Sequence, residues 1–207
     1  MKSFRRRVYS AILIMFLSVF TGVFFINCSG EGFDAFEEKV MAGADPLLPL
    51  AWYLLNTGQG TFSKHVGSPR NDLQLAQTWE AGIQGRGITI LVSDDGIDHS
   101  HEDLNANMKP GNVHLNFSSP DVFTNSASAL PPKASSNHGT NVAGLIAGVR
   151  GNGVGMAGVA PLAKIVSSNF LDIGMSEYSM AEQVKANVDI VNMSWGSKQT
   201  ELSDEIP

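Results

Sequence analysis

The stretch Thr89-Ile90-Leu91-Val92-Ser93 carries no charge and then stops abruptly on Asp94-Asp95-Gly96. An apolar, β-branched run bounded by Gly87 and Gly96 predicts a strand over 88–92 that is covered on both faces. A strand buried on both faces needs a helix layer on each side. The later pattern supplies them. Residues 138–149 place Val142, Ala143, Leu145, Ile146 and Val149 at helical spacing, with small residues between. A strand follows at 163–167, a helix at 177–186 carrying Tyr178, Ala181 and Val184, and a strand at 188–194. Strands alternating with helices predict an α/β three-layer sandwich around a mostly parallel sheet.

The rest of the chain is less regular. Residues 45–54 hold Pro46 and Pro49, which exclude a helix interior and suggest an extended segment anchored by Trp52 and Tyr53. Asn71 or Asp72 is placed to cap a helix to about Ala81, with Leu73, Ala76 and Trp79 on one face. A short strand is expected over 113–117. Residues 118–137, rich in Ser, Asn and Pro, read as surface loop, and Arg150-Gly151-Asn152-Gly153-Val154-Gly155 as a glycine loop.

The first 27 residues read as an address. Lys2, Arg5, Arg6 and Arg7 precede an apolar run from Val8 to Ile26, and the polar Asn27-Cys28-Ser29-Gly30 follows. Phe25-Ile26-Asn27-Cys28 resembles a permissive bacterial lipobox, which would make Cys28 a lipidated first residue and a membrane anchor. A retained signal anchor is the alternative, since about 20 apolar residues span a bilayer. Either way the domain is expected outside the cytoplasm, as a membrane-anchored or secreted protein. Residues 28–44 read as a tether and 45–207 as the domain. Four of the 14 basic side chains lie in those first seven residues, so the remainder is more acidic than the overall charge of -6. That excludes a nucleic-acid partner. A lone cysteine excludes an intrachain disulfide, so packing or a metal must hold the fold.

An acid closing a buried strand and a histidine opening a Gly/Ala-rich helix, Asn137-His138-Gly139-Thr140-Asn141-Val142-Ala143-Gly144, are two parts of an acyl-transfer site. Together with Ser194-Trp195-Gly196 at the end of a strand, they resemble the subtilisin-like serine proteases, the subtilase family, in their order Asp, then His, then binding strand. Subtilisin itself, which gives the family its name, is the type example of that order. Asp94-Asp95 and the Asp45-Pro46-x-x-Pro49-x-x-Trp52-Tyr53-Leu54 segment look closest to the kexin and furin branch.

The resemblance implies a subtilisin-like fold over 45–207, incomplete on its C-terminal side, and peptide-bond hydrolysis of a polypeptide substrate. Asp94 would orient His138, and His138 would act as general base and then general acid. Asp95, Ser194, Trp195 and Gly196 would contact the substrate, with 194–196 adding the peptide as a strand. A structural Ca²⁺ would sit on the carboxylates of Asp45 and Asp103, the Asn152 amide and the carbonyls of Val149, Val154 and Met156. His65, His99 and His114 are expected on the surface and His101 in a structural role.

Departures from the family pattern limit these roles. Gln199 and Ser135 stand where the kexin and furin branch carries acids, so a preference for paired basic residues is not implied. The few residues between Cys28 and Asp45 leave no room for an inhibitory propeptide, so a separate folding chaperone is expected or none. Ser194 lacks a nucleophile's setting, and no Gly-Thr-Ser-x-Ala occurs in the 207 residues. The chain alone is therefore expected to be inactive. A truncated remnant or pseudoenzyme, and a calcium-binding module that grips extended peptides, are the alternatives.

Overall fold

In the computed structural model, residues 45–61, 65–133 and 135–196 are described. The expected signal segment, the tether, Cys28 and Gln199 lie outside them. Among the described residues, five strands form one sheet in the order β3-β2-β4-β1-β5. They are β1 (Thr89–Ser93), β2 (His114–Ser119), β3 (Val122–Ser126), β4 (Lys164–Ser168) and β5 (Ile190–Asn192). Three α-helices accompany them among the same residues: α1 (Ala76–Glu80), α2 (His138–Ala147) and α3 (Glu177–Val184). β1 is an interior strand, pairing in parallel with β4 along its whole length and with β5 from Ile90 to Val92. All five β1 residues are buried, as the unbroken apolar run requires.

The layers follow from side-chain alternation along β1. Ile90 and Val92 join Ile165 and the α2 residues Ala143 and Ala147 in one core. Leu91 joins Val166, Leu115, Phe117 and Phe170 in the other, with Met180 of α3 packed against it. The small residues of α2 let it approach the sheet closely, and Ala143 and Ala147 are fully buried. α3 begins at Ser176, whose hydroxyl accepts the Ser179 N–H while the Ser179 hydroxyl receives the Ser176 N–H. These layers form the three-layer α/β sandwich read from the sequence.

Four expectations are corrected. Residues 45–54 are not extended: Leu48–Leu50 forms a 3₁₀ turn with proline at its start. A fixed proline φ suits a first helical turn. Spacing by three then buries Leu48, Ala51 and Leu54; of the two expected anchors, Trp52 is 49% exposed, whereas Tyr53 packs against this cluster and donates from its hydroxyl to Met156 Sδ at 3.0 Å. The helix near Ala81 has only five residues. Positive φ at Arg70 and Gln74 breaks the chain before it, and the Asp72 carboxylate closes a turn by accepting the Gln74 and Asn56 N–H groups. The 118–137 loop contains β3, which pairs antiparallel with β2. β3 lies at the sheet edge and shows no clean alternation; Phe123 meets Phe117 at 5.4 Å between ring centroids. Finally, β5 spans three residues rather than seven, and Ile190 and Met193 are 51% and 42% exposed.

Candidate active site

β1 delivers Asp94 to the C-terminal edge of the sheet. The ladder extends one residue further, with Asp94 N–H donating to the Ser168 carbonyl at 3.2 Å and its own carbonyl receiving Leu171 N–H. Gly96 then turns the chain at φ 99°, where a Cβ would lie 2.6 Å from the backbone of Leu130 and Pro131. A side chain at this turn would therefore be both strained and blocked.

Asp94 is fully buried and His138 is open to solvent, its side chain 56% exposed. His138 Nδ1 lies 2.9 and 3.0 Å from the two Asp94 carboxylate oxygens. A carboxylate only accepts, so Nδ1 carries the proton and Nε2 is the free base of the neutral ring. The hydrogen bond to Asp94 raises the His138 pKa above the ordinary imidazole value. Burial pushes the Asp94 carboxyl up, opposed by the His138 bond and the Asp95 N–H.

Asp95, expected to face substrate, turns inward instead. It is 8% exposed. Its oxygens accept the N–H groups of His138 at 3.2 Å and Gly139 at 2.7 Å. Asn137 makes no side-chain cap, so this acid from across the turn closes the α2 N-terminus. Gly139 is required there, since a Cβ would sit 2.9 Å from the Asp95 carboxylate.

The 194–196 stretch continues from β5 beside this turn. Trp195 donates from Nε1 to the Ser93 carbonyl at 2.9 Å and packs on Phe170. Ser194 and Gly196 are exposed. On the α2 side, a cleft of about 470 Å³ is lined by Asp98, His101, Lys133, Ser136, Thr140 and Asn141 among others. The Ser136 hydroxyl donates to Asp172, and Lys133 lies 4.0 Å from the same carboxylate.

The sequence model of the subtilase family (peptidase S8) matches residues 85–206. The chain belongs to the subtilase family. It is 40% identical over 135 residues to the Aeromonas extracellular serine protease of Aeromonas sobria, covering 65% of this chain and 20% of that protein. It is 35% identical over 174 residues to neuroendocrine convertase 2 of Bos taurus, covering 82% of this chain and 26% of that protein. The crystal structure of the Aeromonas sobria serine protease with the chaperone ORF2 superposes with a TM-score of 0.64 at 34% identity, over 78% of this chain and 27% of that one. The chain thus spans about a quarter of the length of the relatives it matches.

In this subtilase chain the six residues read as calcium ligands gather around one loop. Asp45 and Asp103 are 2% and 5% exposed. Asp45 accepts the N–H groups of Gly151 and Gly153, and Asp103 accepts those of Met156 and the Asn152 amide. The Asn152 amide oxygen faces the Val154 N–H. Burial raises the Asp103 pKa, and the nearby Asp45 charge adds to it. Two buried acids beside each other suit a divalent cation. Among the described residues no group of three or more His, Cys, Asp or Glu forms, so the other ligands would be amide and carbonyl oxygens.

The histidine expectations divide. His65 is exposed, and so is His101, whose Nδ1 accepts the Asp103 N–H within its turn. His99 and His114 are not surface residues: His114 is fully buried and His99 partly so. The predicted alternation already places His114 opposite Leu115 and Phe117. In a sheet covered on both faces, the opposite face is interior too.

Proposed function

We propose that the chain carries the acid–base half of an exported serine endopeptidase. His138 takes a proton at Nε2 from the attacking hydroxyl and returns it to the leaving amine, while Asp94 fixes the tautomer and stabilises the imidazolium. The observation that carries this reading is the buried carboxylate 2.9 Å from Nδ1 of an exposed imidazole. The reading is supported by relatives named as serine protease and convertase. An extended peptide would run along 194–196 and past the α2 N-terminus, its backbone pairing with the exposed edge there. Export accords with the extracellular relative; lipidation of Cys28 would hold the chain at a membrane. A separate chaperone accords with the protease–chaperone complex of the structural relative.

The nucleophilic hydroxyl is not in a Gly-Thr-Ser-x-Ala setting within these 207 residues. They are accordingly proposed to hydrolyse no peptide alone. Calcium would be held by Asp45, Asp103, Asn152 and the carbonyls of Val149, Val154 and Met156. It would neutralise the two acids and tie the segment before the 3₁₀ turn to the glycine loop.

Two measurements test the reading. Imidazole NMR of the chain should show His138 as the Nδ1–H tautomer with a raised pKa, both lost in Asp94→Asn. A His138 that titrates identically in the variant contradicts an oriented base. Incubation with a fluorogenic peptide library should yield no cleavage; hydrolysis abolished by His138→Ala would overturn the half-site assignment.

A further inference from the structure

Next to the 94–99 turn, on the α2 side of the sheet, lies a second polar cluster. His99 Nε2 is 2.7 Å from the Ser167 hydroxyl. His114 Nδ1 is 3.1 Å from the same hydroxyl and 3.0 Å from the Ser167 backbone nitrogen. The two rings meet edge to face, centroids 4.3 Å apart. Ser167 and His114 are fully buried.

The tautomers follow from the partners. His114 Nε2 lies 2.9 Å from the Lys109 carbonyl, which only accepts, so Nε2 donates and Nδ1 must accept. Nδ1 receives the Ser167 N–H. A proton added there would face a fixed donor. A proton added to His99 would place a charge against the neighbouring ring in a buried setting. The hydrogen bonds thus require an unprotonated Nδ1 on His114, while His99 can donate from Nε2 to the Ser167 hydroxyl.

Its position gives it consequence. The residue before His99, Asp98, donates its N–H to the Thr140 hydroxyl at 3.0 Å. Thr140 sits two residues after His138 in the first turn of α2. Ile97 N–H donates to the Ala129 carbonyl. At two consecutive residues, the 94–99 turn is therefore held to α2 through the Asp98 N–H and pegged to β4 through His99. We propose that His99 is a positioning residue for the Asp94–His138 pair, acting through its hold on Ser167. That the pair it positions is catalytic rests on the reading above; the peg itself does not.

The charged surroundings set the protonation state of the cluster. Asp98, on the same loop, favours a charged His99, while burial and His114 disfavour it more strongly, lowering its pKa from 6.5 to about 4. β4 contributes the uncharged Ser167. From the segment before β2 comes Lys109, whose ammonium is engaged by the Thr89 hydroxyl at 3.1 Å. Burial lowers the His114 pKa as well.

The test is long-range imidazole ¹H–¹⁵N NMR of the full 207-residue chain from pH 8 to 3.5, with His99→Ala and His99→Gln compared. In the unsubstituted chain, His114 should appear as the Nε2–H tautomer at neutral pH. His99→Ala should weaken or lose the His138 Nδ1–H signal at pH 7. His99→Gln, which still donates to Ser167, should keep it. The proposal is overturned if His99→Ala leaves the His138 signal intact, or if His99→Gln loses it as His99→Ala does. Should both variants unfold, Ser167→Ala, which removes the hydroxyl that His99 holds, gives the same readout and decides. No readout requires hydrolysis, so a chain that cleaves nothing still passes or fails.

Discussion

The 94–99 turn has a histidine site on each side, and the two are opposites. His138 is exposed, held by a carboxylate, and has its pKa raised; His99 and His114 are buried, held by a serine and a carbonyl, and have theirs lowered. An imidazole tethered to a buried carboxylate is poised to take a proton, whereas one packed against another imidazole refuses it. One short turn thus joins a site that works by charging to one whose burial disfavours charge.

The strongest blow to both sites should come where the turn meets α2. Gly139→Ala would push a methyl into Asp95 and the turn backbone. A loss of about 3 kcal/mol or more is expected in urea unfolding, with both histidine environments disturbed. An unchanged midpoint would show that the turn yields freely.

Calcium removal should separate the sites from the rest of the fold. If Asp45 and Asp103 share a cation, EDTA lowers the melting temperature by an amount set by mass action, about 2.7 kcal/mol at a free concentration 100 times the dissociation constant. The histidine titrations should not move. An unchanged melt would count against the site.

The pH dependence of stability should show two limbs of opposite sign. His99 has a folded pKa depressed to about 4 from 6.5. Its stabilising contribution is complete above about pH 6.5 and declines as pH falls toward about 4, on the order of 2 kcal/mol. His138 is raised, so its contribution is complete below about 6.5 and is lost as pH rises through its folded value. His99→Gln should flatten the acid limb and leave the other. If the acid limb survives in that variant, carboxylates and not His99 produce it.

The smallest effect should be that of Asp94→Asn on stability, within about 1 kcal/mol, because the imidazole it pairs with is largely in water. In the same variant His138 should fall back toward 6.5 while His99 and His114 stay put. A shift of all three would mean the two sites are not separable.

Much of this could be read from the residues. β1 was legible because a strand covered on both faces must be apolar at every position. α2 was legible because its apolar and small residues recur at helical spacing. Asp94 and His138 were legible because each stands at the end of such an element. β3 was not, since its hold comes from pairing with β2 rather than from its own pattern. The 3₁₀ turn at Leu48–Leu50 was misread because two prolines exclude a helix interior yet permit a first turn.

By itself, then, the sequence determined β1, α2 and which two side chains stand at their ends, because periodicity and strand or helix ends are local properties of the chain. The inward turn of Asp95 onto the α2 N-terminus was decided only by tertiary structure. So was the burial of His114 and the peg from His99 to Ser167. Each of these depends on which groups distant in sequence arrive to satisfy a donor, an acceptor or a charge, and no local pattern specifies that.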